Sequence, residues 1–248
     1  MKLIKELKGG SLSKTMLLSD GHRKWVRKFI SIDENREYGL VRWQSQMRKS
    51  QLLNLYLPEN TLPVLKSGIL DDKYFFDLQY IENCSTLCDA LIKGLDPSKA
   101  ANAIFEILTC LVSHSLQANT GSFAIYINEE IMRPLLMAQG YLSNSGMTNS
   151  ECKIMELRID ALIEKVRALV GYFTDYDIYE CVTHGNLTLE NILWNYEIDR
   201  PILIDSYAET YCETILGDAS QVLQSSRSGY EFISRLLSEG ELEVTKYP

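Results

Sequence analysis

The chain has no run of apolar residues near the ~18 that a membrane-spanning helix needs. Its first ten residues, Met1 to Gly10, lack the long apolar centre of a secretory leader. Membrane insertion is not expected, and the reading is a cytoplasmic protein with reduced thiols. There is no Cys-x-x-Cys pair. The six cysteines, Cys84, Cys88, Cys110, Cys152, Cys181 and Cys212, are scattered. Cys84 and Cys88 can lie one helical turn apart, but no second ligand pair accompanies them, so a zinc site is not expected. Positive charge is not in excess either. Twenty-five Lys and Arg stand against 33 Asp and Glu, a formal net charge of -8. A nucleic-acid binder carries a basic footprint, so no nucleic-acid partner is expected. Such acidity does not exclude a phosphorylated ligand, because a few cations in a cleft, with a metal ion, can hold phosphate.

What is present suits a globular fold. The chain has 248 residues, 46% hydrophobic and 23% charged, enough for a sizeable core in one domain or in two lobes sharing a cleft. Lys2–Lys8, Thr15–Ser19 and Arg23–Ile30 read as three antiparallel strands, joined by the small-residue turn Gly9–Ser13 and the tight Asp20-Gly21 turn. In the third strand Trp25, Arg27 and Phe29 fall on one face, with Val26, Lys28 and Ile30 on the other. A helix is expected from about Asp33, read as its N-cap, to Leu55, closed by Pro58 and Pro63. Val64–Leu70 and Tyr74–Ile81 complete a five-stranded sheet. The pattern then turns helical. Asp96-Pro97 is an N-cap followed by proline, and Ala100, Ala103, Ile104, Ile107, Leu108, Leu111 and Val112 recur at helical spacing. His114 near that stripe reads as a packing residue. A second helix is expected over Ser150–Val170, a loop over Gly140–Asn149, two short strands between Tyr179 and Asp205, and a last helix over Ile215–Ser238. Glu209, Glu213 and Asp218 read as a solvated helix face. The order is a β-rich part followed by a mainly helical one, with the junction at Tyr80–Thr86.

The segment richest in chemistry is Thr183-His184-Gly185-Asn186-Leu187-Thr188-Leu189-Glu190-Asn191-Ile192-Leu193-Trp194, followed by Pro201-Ile202-Leu203-Ile204-Asp205. A polar loop leads into an apolar strand, a turn and a second apolar strand ending in a carboxylate. Such a hairpin can bring His184, Asn186, Asn191 and Asp205 to one cleft edge. The Asn191 amide oxygen and the Asp205 carboxylate are hard ligands suited to Mg²⁺ on nucleotide phosphates.

This segment resembles the catalytic loop of the aminoglycoside phosphotransferase and choline kinase group, relatives of the protein kinases. Their loop reads His-Gly-Asp, a few residues, then Asn-Ile-Leu, with a metal-binding Asp after the next strand. The matching positions are His184, Gly185, Asn186, Asn191, Ile192, Leu193 and Asp205. The resemblance implies a bilobal α+β fold, with an N lobe of residues 1–81 covering the nucleotide. A C lobe of residues 82–248 would carry the loop, the metal ligands and the acceptor pocket. It also implies transfer of the γ-phosphoryl group of ATP or GTP, with Mg²⁺, to a hydroxyl of a small molecule such as a sugar or glycan precursor. Gly9, Gly10, Ser11 and Ser13 are similar to the phosphate-covering turn, where backbone approaches closely. Lys28 matches the third-strand lysine that holds the α- and β-phosphates; Glu37 or Gln46 is the helix residue expected to orient it. Gln79, Tyr80 and Ile81 resemble the segment that binds adenine through its backbone. His184 braces the loop. Gly217–Ser225 looks like the helix that follows the metal-binding Asp.

One position departs from the pattern. The family's catalytic base is Asp, and this chain has Asn186. An amide can hold the acceptor hydroxyl but cannot take its proton. Three origins are open: a substitution introduced to trap a substrate complex, a natural pseudokinase, or a slow enzyme that recruits another base.

Overall fold

The structure, a computed structural model, describes residues 2–7, 13–30, 36–114, 117–119, 122–144, 150–173, 178–207 and 212–229. It is α+β. The strands β1 (Lys2–Leu7), β2 (Ser13–Ser19) and β3 (Lys24–Ile30) precede α1 (Arg36–Tyr56), and β4 (Val64–Leu70) and β5 (Lys73–Gln79) follow it. These five strands form one antiparallel sheet in the order β1-β2-β3-β5-β4. Its turns follow local chemistry. The Asp20 carboxylate accepts the backbone N–H of His22 at 2.9 Å and of Arg23 at 2.8 Å, while Gly21 takes φ +97°. Between β4 and β5, Asp71 and Asp72 both have positive φ, as a two-residue hairpin turn requires.

Register decides which side chains reach the site. Thr15, Lys28 and Phe76 lie opposite one another across β2, β3 and β5, and Leu17, Val26 and Leu78 form the neighbouring rung. Directly paired residues share a face, so Lys28 stands among apolar neighbours. On the reverse face Arg27 pairs with Asp77. Its Nε and Nη2 donate to the two carboxylate oxygens at 2.6 and 2.7 Å, and its guanidinium lies 4.1 Å from the Phe75 ring centroid. Both charges are buried. Burial is tolerable there because the fork is bidentate.

The later elements are β6 (Cys84–Thr86), α2 (Leu87–Ile92), α3 (Pro97–Ser113), β7 (Gln117–Asn119), α4 (Ser122–Tyr126), α5 (Arg133–Asn144), α6 (Ser150–Phe173), β8 (Ile178–Glu180), β9 (Ile192–Asn195), β10 (Arg200–Leu203) and α7 (Ile215–Ser228). The Asp96 side chain caps α3 by accepting the Ser98 N–H at 3.0 Å, with Pro97 in the first turn. Strands β10, β9 and β6 form a second, antiparallel sheet.

The chain groups into two units. The first takes in residues 1–114, 182–209 and 215–248, and the second residues 115–181 and 210–214. Both sides of the Tyr80–Thr86 junction fall in the first unit. Its core gathers Leu53 and Leu57 of α1, Leu87, Ile104, Ile107 and Leu111 of α2 and α3, Leu187 and Leu189 of the loop, and Trp194 and Leu203 of β9 and β10. Each such buried aliphatic side chain contributes about 1.5–3 kcal/mol. In the second unit Tyr126, Ile127, Val166 and Cys212 form a smaller cluster. Here the expectation of a loop over Gly140–Asn149 needs correction, because α5 continues to Asn144. Gln139 and Ser143 on α5 donate to Asp160 and Glu156 on α6 at 2.6 and 3.0 Å, which holds the last turn despite its Ser, Asn and Gly content. The extension of α7 to Ser238 lies outside the described residues. No helix among them is long and apolar enough to cross a membrane.

Candidate functional site

The loop 182–191 has little regular structure, yet its backbone is held at almost every residue. Three side chains of α7 do most of this. Asp218 accepts the N–H of His184 at 2.6 Å and of Gly185 at 2.7 Å, one on each carboxylate oxygen. Gln221 accepts the Leu187 N–H at 2.5 Å and donates to the Gly185 carbonyl at 3.2 Å. Ser225 accepts the Leu189 N–H at 3.2 Å. Residues 218, 221 and 225 are spaced to share one helix face. From α1, the Lys49 ammonium donates to the Thr183 hydroxyl at 3.0 Å, and the Ser50 hydroxyl lies 3.3 Å from that of Ser206.

Gly185 is dictated by geometry. Its φ is +77°, and a Cβ would collide with the Tyr207 carbonyl oxygen. The Tyr207 N–H donates to the His184 carbonyl at 2.9 Å, which closes the loop against the segment after β10. The His184 ring is fully buried and its Nε2 meets the Ile204 carbonyl at 2.9 Å. Burial pulls its pKa down from 6.5 to about 4, so the ring is neutral in the fold and Nε2 carries the proton. In the unfolded chain the proton returns near 6.5. The unfolded state therefore binds more protons between those values. The His184 contribution is complete above pH 6.5 and is lost as the pH falls toward 4, about 3 kcal/mol in all. Melting temperature should fall between pH 7 and pH 5, and His184→Gln should flatten that part of the profile.

The loop and the sheet meet at a cavity of about 370 Å³. Its wall includes Lys5, Thr15, Val26, Lys28, Phe76 and Leu78 from the sheet, with Gln46 and Ser50 from α1. Gln79, Tyr80, Ile81, Leu193, Ile204, Asp205 and Ser206 also contribute. Lys28 is 8% exposed, and its ammonium pairs with the Asp205 carboxylate. Asp205 adopts φ +57°, a left-handed conformation that Asp tolerates better than most residues. The Ile204 N–H donates to the Asn191 carbonyl at 2.9 Å, which sets Asp205 beside Asn191. The Asn191 amide nitrogen donates to the Asn186 carbonyl at 2.9 Å. That bond leaves the Asn191 amide oxygen as the atom for a ligand. Gln46 is 4% exposed, and its Oε1 has no hydrogen-bond partner among the described residues.

The donor set bears on Mg²⁺. Among the described residues no three His, Cys, Asp or Glu side chains converge, so an all-protein metal cage is not formed. One carboxylate and one amide oxygen fit Mg²⁺ as part of a metal–phosphate assembly, in which phosphate and water complete the octahedron.

Lys28, Gln79, Tyr80, Ile81 and Asp205 thus line one cavity, and Asn191, Asn186 and His184 are tied to it through the bonds above. Ser13 opens β2 opposite Ile30. Gly9, Gly10, Ser11, the Glu37 side chain and Glu209 lie outside the described residues. The Lys28 ammonium has Asp205 as a partner, besides the two α1 residues expected to orient it. One expectation changes. Asp218 is not on a solvated face: it is fully buried, because two backbone donors of the loop need an acceptor there. Gln221, Ser225 and Lys49 also belong to the site and were missed. The helical spacing of Gln221 and Ser225 with Asp218 is the one signal that could have found two of them. No family model matches the chain, and no curated protein matches it.

Proposed function

We propose that the chain has a bilobal protein-kinase-like fold and belongs by design to the small-molecule phosphotransferases, with a cleft for ATP or GTP and Mg²⁺. The observation that carries this reading is the ion pair of Lys28 with Asp205 inside a cavity also walled by Gln79, Tyr80 and Ile81. A strand lysine, a carboxylate after the next hairpin and a strand-end segment with backbone groups are what a nucleotide triphosphate needs. In this reading Lys28 holds the α- and β-phosphates, and Gln79–Ile81 faces the base. Asn191 and Asp205 offer their oxygens to Mg²⁺, which when bound would neutralise charge on the β- and γ-phosphate oxygens. Asn186 holds the acceptor hydroxyl, and His184 with Asp218 keeps the loop in register. Asn186 favours a second reading of the same cleft, a non-catalytic nucleotide-binding or scaffold module.

Both readings require nucleotide binding. ATP with Mg²⁺ at 100 times its Kd should stabilise the protein by about 2.7 kcal/mol, a rise in melting temperature of about 5–10 °C for a chain of this size. Lys28→Met should remove most of that rise. A melting temperature that neither ATP nor GTP moves would end the proposal.

A further inference from the structure

We infer that the cavity holds the polyphosphate of a nucleotide without requiring a divalent cation, because Lys28 and Lys5 provide positive charge and, among the described residues, a single carboxylate opposes it. This rests on the nucleotide reading above and goes further, to the ionic requirement of binding.

The charge balance of the cavity is opposite to that of the chain. The whole protein carries -8. Among the described residues, the cavity wall has two lysines, Lys5 and Lys28, and one carboxylate, Asp205. Three positions that bear on a phosphate are amides: Gln46 in the wall, and Asn186 and Asn191 in the loop. A carboxylate at any of them would repel phosphate and make a bridging divalent ion a condition of binding. An amide does not. Among the described residues Asp205 is the one carboxylate of the wall and it pairs with Lys28, so with Lys5 the wall keeps a net positive charge.

Gln46 adds an independent observation. Its Oε1 is buried without a donor among the described residues, in the same wall as Lys28. A buried acceptor in that state draws a donor to it. The Lys28 ammonium has three protons. With one proton given to Asp205, two remain for other acceptors, phosphate oxygens among them. A metal ion, by contrast, has to compete with that ammonium for Asp205. Binding of the nucleotide then comes first, and metal loading is a separate step.

Calorimetric titration of the full-length chain with ATP, once in EDTA and once in Mg²⁺, tests this. The expected Kd values agree within about 10-fold, equivalent to ~1.4 kcal/mol. Asp205→Asn should tighten ATP binding in EDTA, and adenosine in EDTA should bind more weakly than ATP. ATP binding that is present in Mg²⁺ and weaker by more than 10-fold in EDTA overturns the inference and leaves the nucleotide reading standing. Adenosine binding as tightly as ATP in EDTA also overturns it. No binding under either condition removes both. The comparison of the two buffers uses the unaltered protein, so it does not depend on any variant folding.

Discussion

Asn186→Asp should raise ATP turnover by about 10²–10⁴-fold, the usual contribution of a general base. The bonds that Asn186 makes in the loop come from its backbone. Its carbonyl accepts the Asn191 amide at 2.9 Å and the Thr188 N–H at 2.9 Å. A carboxylate of nearly the same shape leaves both in place, so the loop geometry and the ligand positions at Asn191 and Asp205 persist. Among the described residues Asp205 is the one carboxylate in the cavity wall, and Lys28 occupies it. Among the described residues, then, no wall carboxylate masks the gain as a substitute base. The gain is measured as ADP release in Mg²⁺ from both proteins, across sugars, aminoglycosides and choline-like amines as acceptors. Melting temperatures that agree within about 2 °C would show that only the chemistry changed. If neither protein turns over ATP with any acceptor, the non-catalytic reading of the cleft gains and the enzymatic one is lost.

The parts of this fold that were legible in the sequence are those written in neighbouring residues. Asp20-Gly21 specifies its turn through a carboxylate that reaches the next two N–H groups. Asp96-Pro97 specifies a helix start in the same way. The alternation from Trp25 to Ile30 places Lys28 and Arg27 on opposite faces, and the strand register agrees. The spacing from His184 to Asp205 keeps the loop and the hairpin within bonding reach, where the Ile204 backbone meets both His184 and Asn191. What could not be read is set by partners far along the chain. Asp218 looks like any acidic residue in a first helical turn, and its role depends on N–H groups more than thirty residues earlier. The bidentate fork of Arg27 on Asp77 depends on strand register. The Lys28 partner Asp205 lies 177 residues away in sequence, where nothing near Lys28 on the chain points to it. Distant electrostatic choices of this kind leave no periodicity, so only coordinates separate them.

Asp218→Ala should cost about 3 kcal/mol, seen as a fall in melting temperature of roughly 6–12 °C. The carboxylate is fully buried, and each of its oxygens accepts one backbone N–H of the loop. Alanine leaves both donors without an acceptor in a place water does not reach, and each orphan costs about 1–3 kcal/mol. Asp218→Asn keeps one oxygen but turns an NH₂ group toward the other N–H, so it should recover only part of the loss. Gln224→Ala, on the exposed side of the same helix, should stay within about 0.5 kcal/mol of the parent. The contrast separates two physical accounts of α7. If Asp218 were a solvated surface carboxylate, its replacement would resemble that of Gln224, and a melting temperature unchanged in Asp218→Ala would refute the buried-acceptor account. The same variant should also bind ATP more weakly, because His184 and Gly185 set the position of Asn186 and, through it, of the Asn191 amide. Stability and ligand affinity then fall together, since one carboxylate holds the backbone on which the site is built.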